Sequence, residues 1–394
     1  MISLVWGTVL YHVARTWLTI PTVRAGLKAP LADDAWPRVC VIVPAHNEEA
    51  CIATIAASIA AQVCPPDRLS MVFALDRCTD STEAVLRRTL GDAPRNAEIL
   101  SIEACPQGWT GKVNALWMAV TTSPAARHAD ILLFADADTN LHPDCLRACL
   151  GLMHQRGLDM LSLLSTLTRS QWFEKVAQPV AAMELVRMYP ITRTNFPGQE
   201  RPFANGQFIM VRRDAYERFD GHRAVHWAVL EDVELARAAD RAKVPLGVFL
   251  ADGLLHCRMY ATWAEFRRGW KRIFTESANR KRTRLIGIAW RMRLLGVILP
   301  TLALVGAVAG LGLRIAGNGG GVGDWALGLG AAAICLFFGA LSACAALGRT
   351  PFIGVPLFPI GAWLVSGIFT QAARDLRDGK PLEWAGMTYN REAR

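Results

Sequence analysis

Charge is nearly missing from one long stretch of this 394-residue chain: residues 294–373 hold only Arg314, Asp324 and Arg349. The other positions carry charge at the level of a soluble protein, so a globular domain is joined to an apolar block. That argues against a disordered chain, a small disulfide scaffold and a fully cytosolic enzyme. The ten cysteines contain no Cys-x-x-Cys pair, the spacing that zinc sites and redox pairs usually need. Cys145 and Cys149 share a helix face, but two thiols without a histidine make a poor metal site. The cysteines read as small buried apolar residues in a reducing compartment. The Gly-x-x-x-x-Gly-Lys-Ser/Thr phosphate loop is also absent. The N-terminus has neither a basic leading region nor an Ala-x-Ala cleavage site.

Three stretches, 294–313, 325–348 and 350–373, contain 20, 24 and 24 uncharged residues. Each reaches the roughly 20 residues that a helix needs to cross a bilayer. A shorter run, 2–14, precedes Arg15 and predicts a membrane anchor or interfacial helix within 1–28. Arg280, Lys281, Arg282, Arg284, Arg291 and Arg293 stand before the first long stretch, which puts the soluble domain on the cytoplasmic side. Arg374, Arg377, Lys380, Arg391 and Arg394 follow the last stretch and favour the same side. Three crossings cannot satisfy both flanks. Gly354, Pro356, Pro359 and Gly361 break helices, so the third stretch is expected to be kinked or re-entrant. The expectation is a multi-pass protein of the cell's inner (plasma) membrane with two full spans and a cytoplasmic tail, 374–394.

Between these ends, strands alternate with helices. Residues 38–43 form a β-branched run ending at Pro44, and 69–75 and 131–135 read as further strands. Asn47 before Glu48 and Glu49 predicts a capped helix start, and Asp80 precedes a helix over 81–90. The pattern predicts an α/β domain over 36–262, a mostly parallel sheet covered on both faces. Ligands in such sheets bind beyond the carboxyl ends of the strands. There stand Pro44 to Glu48, Asp76, and Asp136 with Asp138.

Asp136-Ala137-Asp138 places two carboxylates so close that they repel unless a cation or proton lies between them. Mg²⁺ or Mn²⁺ suits such oxygen ligands and bridges substrate phosphates; the alternative is a solvated turn with Asp138 or Asn140 capping the next helix. Lys112 follows two glycines in Gly108-Trp109-Thr110-Gly111-Lys112, a loop that suits a phosphate or leaves an ordinary surface lysine. Glu231-Asp232 opens a helix over 231–242, either as dipole-matched acids or with a carboxylate that takes a proton from a hydroxyl nucleophile. Asn205-Gly206 precedes the apolar run 208–211 and either lines a pocket or forms a plain turn. Arg267-Arg268-Gly269-Trp270-Lys271-Arg272 lies in an aromatic and basic segment, 263–293. It suits an interfacial helix at anionic headgroups, or cations for a diphosphate. The +9 net charge is concentrated beside the spans, which points to a lipid surface rather than nucleic acid.

The ordered set Val43-Pro44-Ala45-His46-Asn47-Glu48-Glu49, Asp76 with Asp80-Ser81-Thr82, Gly111-Lys112, Asp136-Ala137-Asp138, Asn205-Gly206 before Val211-Arg212-Arg213, and Glu231-Asp232 resembles the family 2 glycosyltransferases. The resemblance implies the GT-A fold, Rossmann-like, followed by transmembrane helices. It implies that Pro44, Ala45, Asn47, Glu48 and Asp76 hold the nucleoside, and that Asp136 and Asp138 bind Mg²⁺ or Mn²⁺ and the sugar diphosphate. Lys112 would sit near that donor, expected to be a UDP-sugar. Asp232 would be the base for direct, inverting attack; Asn205, Gly206, Glu231 and Trp270 are candidates on the acceptor side. The Gly-Trp-Thr-Gly-Lys stretch, the C-terminal spans and the ending Gly379 to Tyr389 look most like the lipid-directed subgroup associated with hopanoid and carotenoid glycosylation. Two departures stand out. Gly269, not arginine, precedes Trp270, so the Gln-x-x-Arg-Trp motif of processive synthases is missing, which favours a single transfer. In the tail, Met387 replaces an arginine common to the subgroup. The resulting expectation is transfer of one sugar to a membrane lipid hydroxyl; the alternatives are a nucleotidyltransferase on a similar sheet or a non-catalytic membrane scaffold.

Overall fold

The structure is a computed structural model that describes residues 7–8, 11, 22–29, 36–91, 96–189, 194–195, 202–317, 320–347, 352–384 and 387–389. Most of the apolar run 2–14 lies outside the described residues, as do Arg391 and Arg394. In chain order the main elements begin with β1 (Val39–Ala45), α1 (Ile52–Ala60), β2 (Leu69–Asp76), α2 (Thr82–Leu90) and β3 (Ala97–Ile102). There follow α3 (Gly111–Thr122), β4 (Ile131–Ala135), β5 (Thr139–Leu141), α4 (Cys145–Arg156), β6 (Met160–Leu164) and β7 (Thr166–Leu167). Next come α5 (Gln178–Met188), β8 (Phe208–Arg212), α6 (Glu231–Arg241), β9 (Leu246–Leu250), β10 (Leu255–Cys257) and α7 (Trp263–Ser277). The chain closes with α8 (Arg282–Ile315), α9 (Val322–Leu347), α10 (Phe358–Arg377) and the hairpin β11 (Leu382–Trp384) and β12 (Met387–Tyr389).

Seven strands form one sheet in the order β3-β2-β1-β4-β8-β6-β9. All neighbours are parallel except β8, which runs antiparallel to β4 and β6. The two-residue period of a strand explains why both faces are covered. Val39, Val41 and Val43 pack into a core with Ile52 and Ile55 of α1, Leu86 of α2 and Cys145 and Cys149 of α4. Cys40 and Ile42 point the other way, to Val113 and Leu116 of α3 and Leu235 and Ala236 of α6. Ile42 is fully buried, a contribution of about 1.5–3 kcal/mol. The strand expected to stop at Pro44 continues to Ala45, with Pro44 paired to Ala74. A proline is tolerated there because β4 pairs with β1 only as far as Ile42, so only one side of the strand is hydrogen-bonded at that point.

The reversed strand matters for the site. Parallel strands bring their ends to one edge of the sheet, whereas β8 brings its beginning, with Asn205 and Gly206. A second, small sheet, β5-β10-β7, covers that edge directly after Asp138.

Among the described residues two helices are long and apolar enough to cross a membrane: Arg282–Ile315, 34 residues, and Val322–Ala346, 25 residues. They meet through small residues. A Cβ on Gly310 would lie 2.6 Å from the Gly323 carbonyl oxygen, and one on Gly330 2.6 Å from that of Ala303. Such close backbone approach is how apolar helices gain contact without polar groups. The first helix starts twelve residues before the uncharged stretch and has a π-helical turn at Leu294–Ile298, just before Pro300, which has no N–H to give.

The third uncharged stretch behaves differently. Phe352–Gly354 is a single turn and α10 begins at Phe358 with Pro359 in its first turn, so the prolines and glycines mark a helix start. Val365, Ile368, Phe369 and Ala372 of α10 are buried in a core shared with α7 and α8. The aromatics of α7 join it: Phe266, Trp270 and Phe274 face inward, with Phe274 stacked on Phe369 at 3.9 Å between ring centres. They form a helical core, while Arg267 and Arg268 remain exposed.

Candidate active site

The β1–α1 and β2–α2 loops lock together. Asn47 has a positive φ of 59°, a left-handed conformation that asparagine tolerates. Its side-chain oxygen accepts from the Thr79 N–H at 2.7 Å and the Asp80 N–H at 3.3 Å. The expected cap of its own helix is therefore corrected: α1 starts at Ile52 without a side-chain cap, and Asn47 satisfies the neighbouring loop instead. Glu48 N–H donates to Thr82 Oγ1 at 2.7 Å, and Asp80 accepts from the same hydroxyl at 2.6 Å. His46 Nδ1 lies 2.6 Å from the Asp76 carbonyl. Asp76 is buried and paired with Arg77 at 2.6 Å. Pro44, Ala45, Asn47, Glu48 and Asp76 thus line one continuous rim.

Lys112 is not in a loop. Gly111 and Lys112 open α3, and the helix starts against the rim: a Cβ on Gly111 would lie 2.5 Å from Asp76 Oδ2 and 2.6 Å from Arg77 Nη2. Only glycine fits that approach without displacing the Asp76–Arg77 pair. From this turn Lys112 Nζ reaches Asp136 Oδ1 at 2.7 Å and Glu231 Oε1 at 2.5 Å. One ammonium so joins residues from three separate elements. Gly206 completes the cluster: its N–H donates to Asp232 Oδ2 at 2.8 Å. An added Cβ there would lie 3.2 Å from Asp232 Oδ2 and Glu231 Oε1, and 3.3 Å from Lys112 Nζ. Asp232 Oδ1 accepts from the Val233 N–H at 2.8 Å.

Crowding sets the electrostatics. Burial alone would lower the Lys112 ammonium, but Asp136 and Glu231 outweigh it and hold the charge firmly in place. Burial would raise Glu231, and Lys112 overcomes this to keep it below its ordinary value. Asp232 forms no ion pair among the described residues; burial, then Glu231, raises it to about 6 against the opposing pull of Lys112. Asp138 is pushed to about 7 by burial, then by Asp136 and Glu48. Burial also raises Asp136 and Glu48. Several carboxylates therefore face a space with too little positive charge.

Among the described residues the buried Asp138 Oδ1 has no hydrogen-bond partner; the Cys257 thiol beside this carboxyl lowers it only against burial and its acidic neighbours, so the oxygen is available to a cation. No group of three or more His, Cys, Asp or Glu side chains converges on a metal position among the described residues. The donor set thus fits a divalent cation held by Asp136 and Asp138 and completed by water or phosphate oxygens, not an all-protein cage.

Further residues support the site, and of these His222 and Ser165 carry no sequence signal. Asn205 donates to the Leu163 carbonyl at 2.8 Å and to Gln207 Oε1 at 3.1 Å, while Ser165 donates to the same Gln207 oxygen. This network anchors the Gly206 turn. Buried His222 pairs with Tyr216 at 2.9 Å and edges onto Phe134; burial lowers it to about 3, so it stays neutral. Arg272, from α7, draws both Asp136 and Glu231 downward. It is the cation of the basic segment whose field reaches the site. Trp270, by contrast, is 2% exposed within the helical core. Gly269 has a steric reason: a Cβ there would lie 2.1 Å from Tyr260 Oη.

Comparisons with known proteins give the family and the fold. The family described as "Glycosyltransferase like family 2" matches residues 37–282. The 4,4'-diaponeurosporenoate glycosyltransferase of Staphylococcus aureus (strain MRSA252) is 26% identical over 289 residues, 71% of this chain and 72% of that protein. Among solved structures, a mannosyltransferase from Pyrobaculum calidifontis in complex with GDP-Man and Mn²⁺ superposes with a TM-score of 0.52 at 18% identity. That likeness covers 95% of this chain and 97% of the other, and it establishes a shared GT-A fold.

Proposed function

Because the chain belongs to glycosyltransferase-like family 2 and is a glycosyltransferase, we propose that it moves one sugar from a nucleoside diphosphate sugar, a UDP-sugar, to a hydroxyl of a membrane lipid. The observation that carries this reading is Asp232, held by the Gly206 N–H beside the Lys112–Asp136–Glu231 cluster and raised to about 6. A carboxylate in that range is ionised near neutral pH and still basic enough to take a proton from an alcohol. Asp232 accepts the acceptor's hydroxyl proton as its oxygen bonds to the anomeric carbon. The bond from that carbon to the diphosphate oxygen breaks, and the nucleoside diphosphate leaves with the electron pair. One displacement inverts the configuration.

The rim from Pro44 to Glu48 with Asp76 holds the nucleoside. Lys112 and Arg272 place positive charge beside the diphosphate. Asp136 and Asp138 would hold a divalent cation, Mg²⁺ or Mn²⁺, which when bound would supply positive charge to the leaving diphosphate. The Staphylococcus relative, named for 4,4'-diaponeurosporenoate, and helices α8 and α9 support a lipid acceptor met at the cytoplasmic face of the membrane, with a carotenoid-type lipid as the leading class.

Membranes containing the protein, incubated with a panel of labelled nucleotide sugars, should transfer label from one of them into the lipid extract. The product should be one hexose heavier than its acceptor. Label found only in free sugar or in a polymer would overturn the reading.

A further inference from the structure

Beside the first apolar helix lies a cavity that the transfer site does not use. Arg282 and Arg293 of α8 and Arg374 and Arg377 of α10 line it, with Trp290 and Thr370, and its volume is about 210 Å³. Arg293 is held open rather than neutralised. Its Nε donates to Ser366 Oγ at 3.1 Å and its Nη2 to Thr370 Oγ1 at 2.9 Å. The guanidinium lies over Trp290 at 5.7 Å and Trp363 at 5.3 Å. Hydroxyls and ring faces position an arginine without cancelling its charge. Arg282 and Arg374 form no ion pair with any described residue, and Arg377 has only the exposed Asp378 at 2.8 Å. Four cations around one cavity repel each other, and charge-assisted hydrogen bonds to an anion are the natural relief.

The setting selects the anion. Trp290 and Leu294 are 60% and 43% exposed, and Ile298, Leu302 and Val305 continue the apolar surface along α8. An aromatic ring at the base of an apolar helix marks the level of lipid headgroups, and basic pockets at that level take phosphate-bearing lipids. We propose that this cavity binds the phosphate headgroup of an anionic phospholipid, whose acyl chains run along the apolar face of α8. The proposal rests on α8 being membrane-embedded, as in the reading above. It does not depend on the acceptor or the donor.

The test uses the full chain in detergent, titrated with phosphatidylglycerol or phosphatidylcholine and read by native mass spectrometry. One phosphatidylglycerol should stay bound where phosphatidylcholine does not. The double variant Arg282→Gln/Arg374→Gln should bind it at least tenfold more weakly, with an unchanged thermal midpoint and unchanged sugar transfer to a detergent-dispersed acceptor. Equal retention of both lipids, or undiminished binding by the variant, overturns the proposal. So does displacement of the bound lipid by millimolar inorganic phosphate, which would mark a site for the free anion. Fractionation of cells separates this failure from that of the membrane reading: a chain recovered in the soluble fraction sinks both, whereas a membrane-bound chain without lipid preference sinks only this one.

Discussion

Asp138→Asn should stabilise the metal-free protein, and the gain should grow with pH. In the folded chain this carboxyl titrates at about 7 against an ordinary 3.8, raised by burial, then by Asp136 and Glu48. A folded value above the unfolded one means the native state holds the proton more tightly. The cost of folding is absent below pH 3.8, builds between 3.8 and 7, and is complete above 7. The gap corresponds to roughly 4 kcal/mol, at about 1.4 kcal/mol per tenfold change in proton affinity. Asp138 is only partly buried at its surface, so solvent screens part of this, and about 2 kcal/mol is the working figure. Asparagine keeps the shape and removes the charge. At pH 8.5 in EDTA its thermal midpoint should rise by about 4–8 °C, at 2–4 °C per kcal/mol, and at pH 4 hardly at all. Mn²⁺ should reverse the order: at a hundredfold excess over its dissociation constant it adds about 2.7 kcal/mol to the wild type and little to the variant. A variant that melts lower at pH 8.5, or that Mn²⁺ protects equally, would refute both the strain and the metal seat.

Asp232→Asn should lower transfer at least ~100-fold while donor binding, followed by calorimetry, persists; wild-type turnover should fall on the acid side with a limb near pH 6. Lys112→Met leaves Asp136 and Glu231 facing each other without their shared ammonium, so unfolding should become easier by about 3–5 kcal/mol. Protonation of those acids should recover part of that loss towards pH 4. Gly206→Ala should cut transfer more than stability, since its methyl would press at 3.2 Å on Asp232 and Glu231; unchanged turnover would show that this turn does not position the base.

The strands at 39–45, 69–76 and 131–135 were legible because β-branched runs ending in polar residues have few other solutions. The same logic placed Asp136 and Asp138 beyond a strand end, whereas Asp232 was legible only as an acid opening a helix and took its role from the family resemblance. What the order of residues hides is partnership across distance. Lys112 meets Glu231 only because β8 is reversed and α6 starts beside it, and nothing near Lys112 in the sequence announces either. Asn47 stands before two acids, as a helix cap would, yet its side chain serves Thr79 and Asp80. The aromatic stripe of α7 has the composition of a membrane-surface helix; packing against Phe369 makes it core. His222 belongs to no motif, and only its burial reveals it; Arg272 lies in the basic segment that suggested cations for a diphosphate, but which of those cations reaches the site is visible only in the fold.

The uninterrupted course of α8 has a consequence for how the proposed enzyme meets its acceptor. At about 1.5 Å per residue, 282–293 spans about 18 Å and 294–315 about 33 Å, the latter close to a hydrocarbon thickness of ~30 Å. The lower part is clamped: Arg291 pairs with buried Glu184 of α5 at 2.6 Å, and Arg293 bonds to α10. The helix therefore works as a fixed strut and not as a flexible tether. In the proposed reading it would set the altitude and heading of Asp232 above the bilayer, and the acceptor hydroxyl would have to rise to a stationary site.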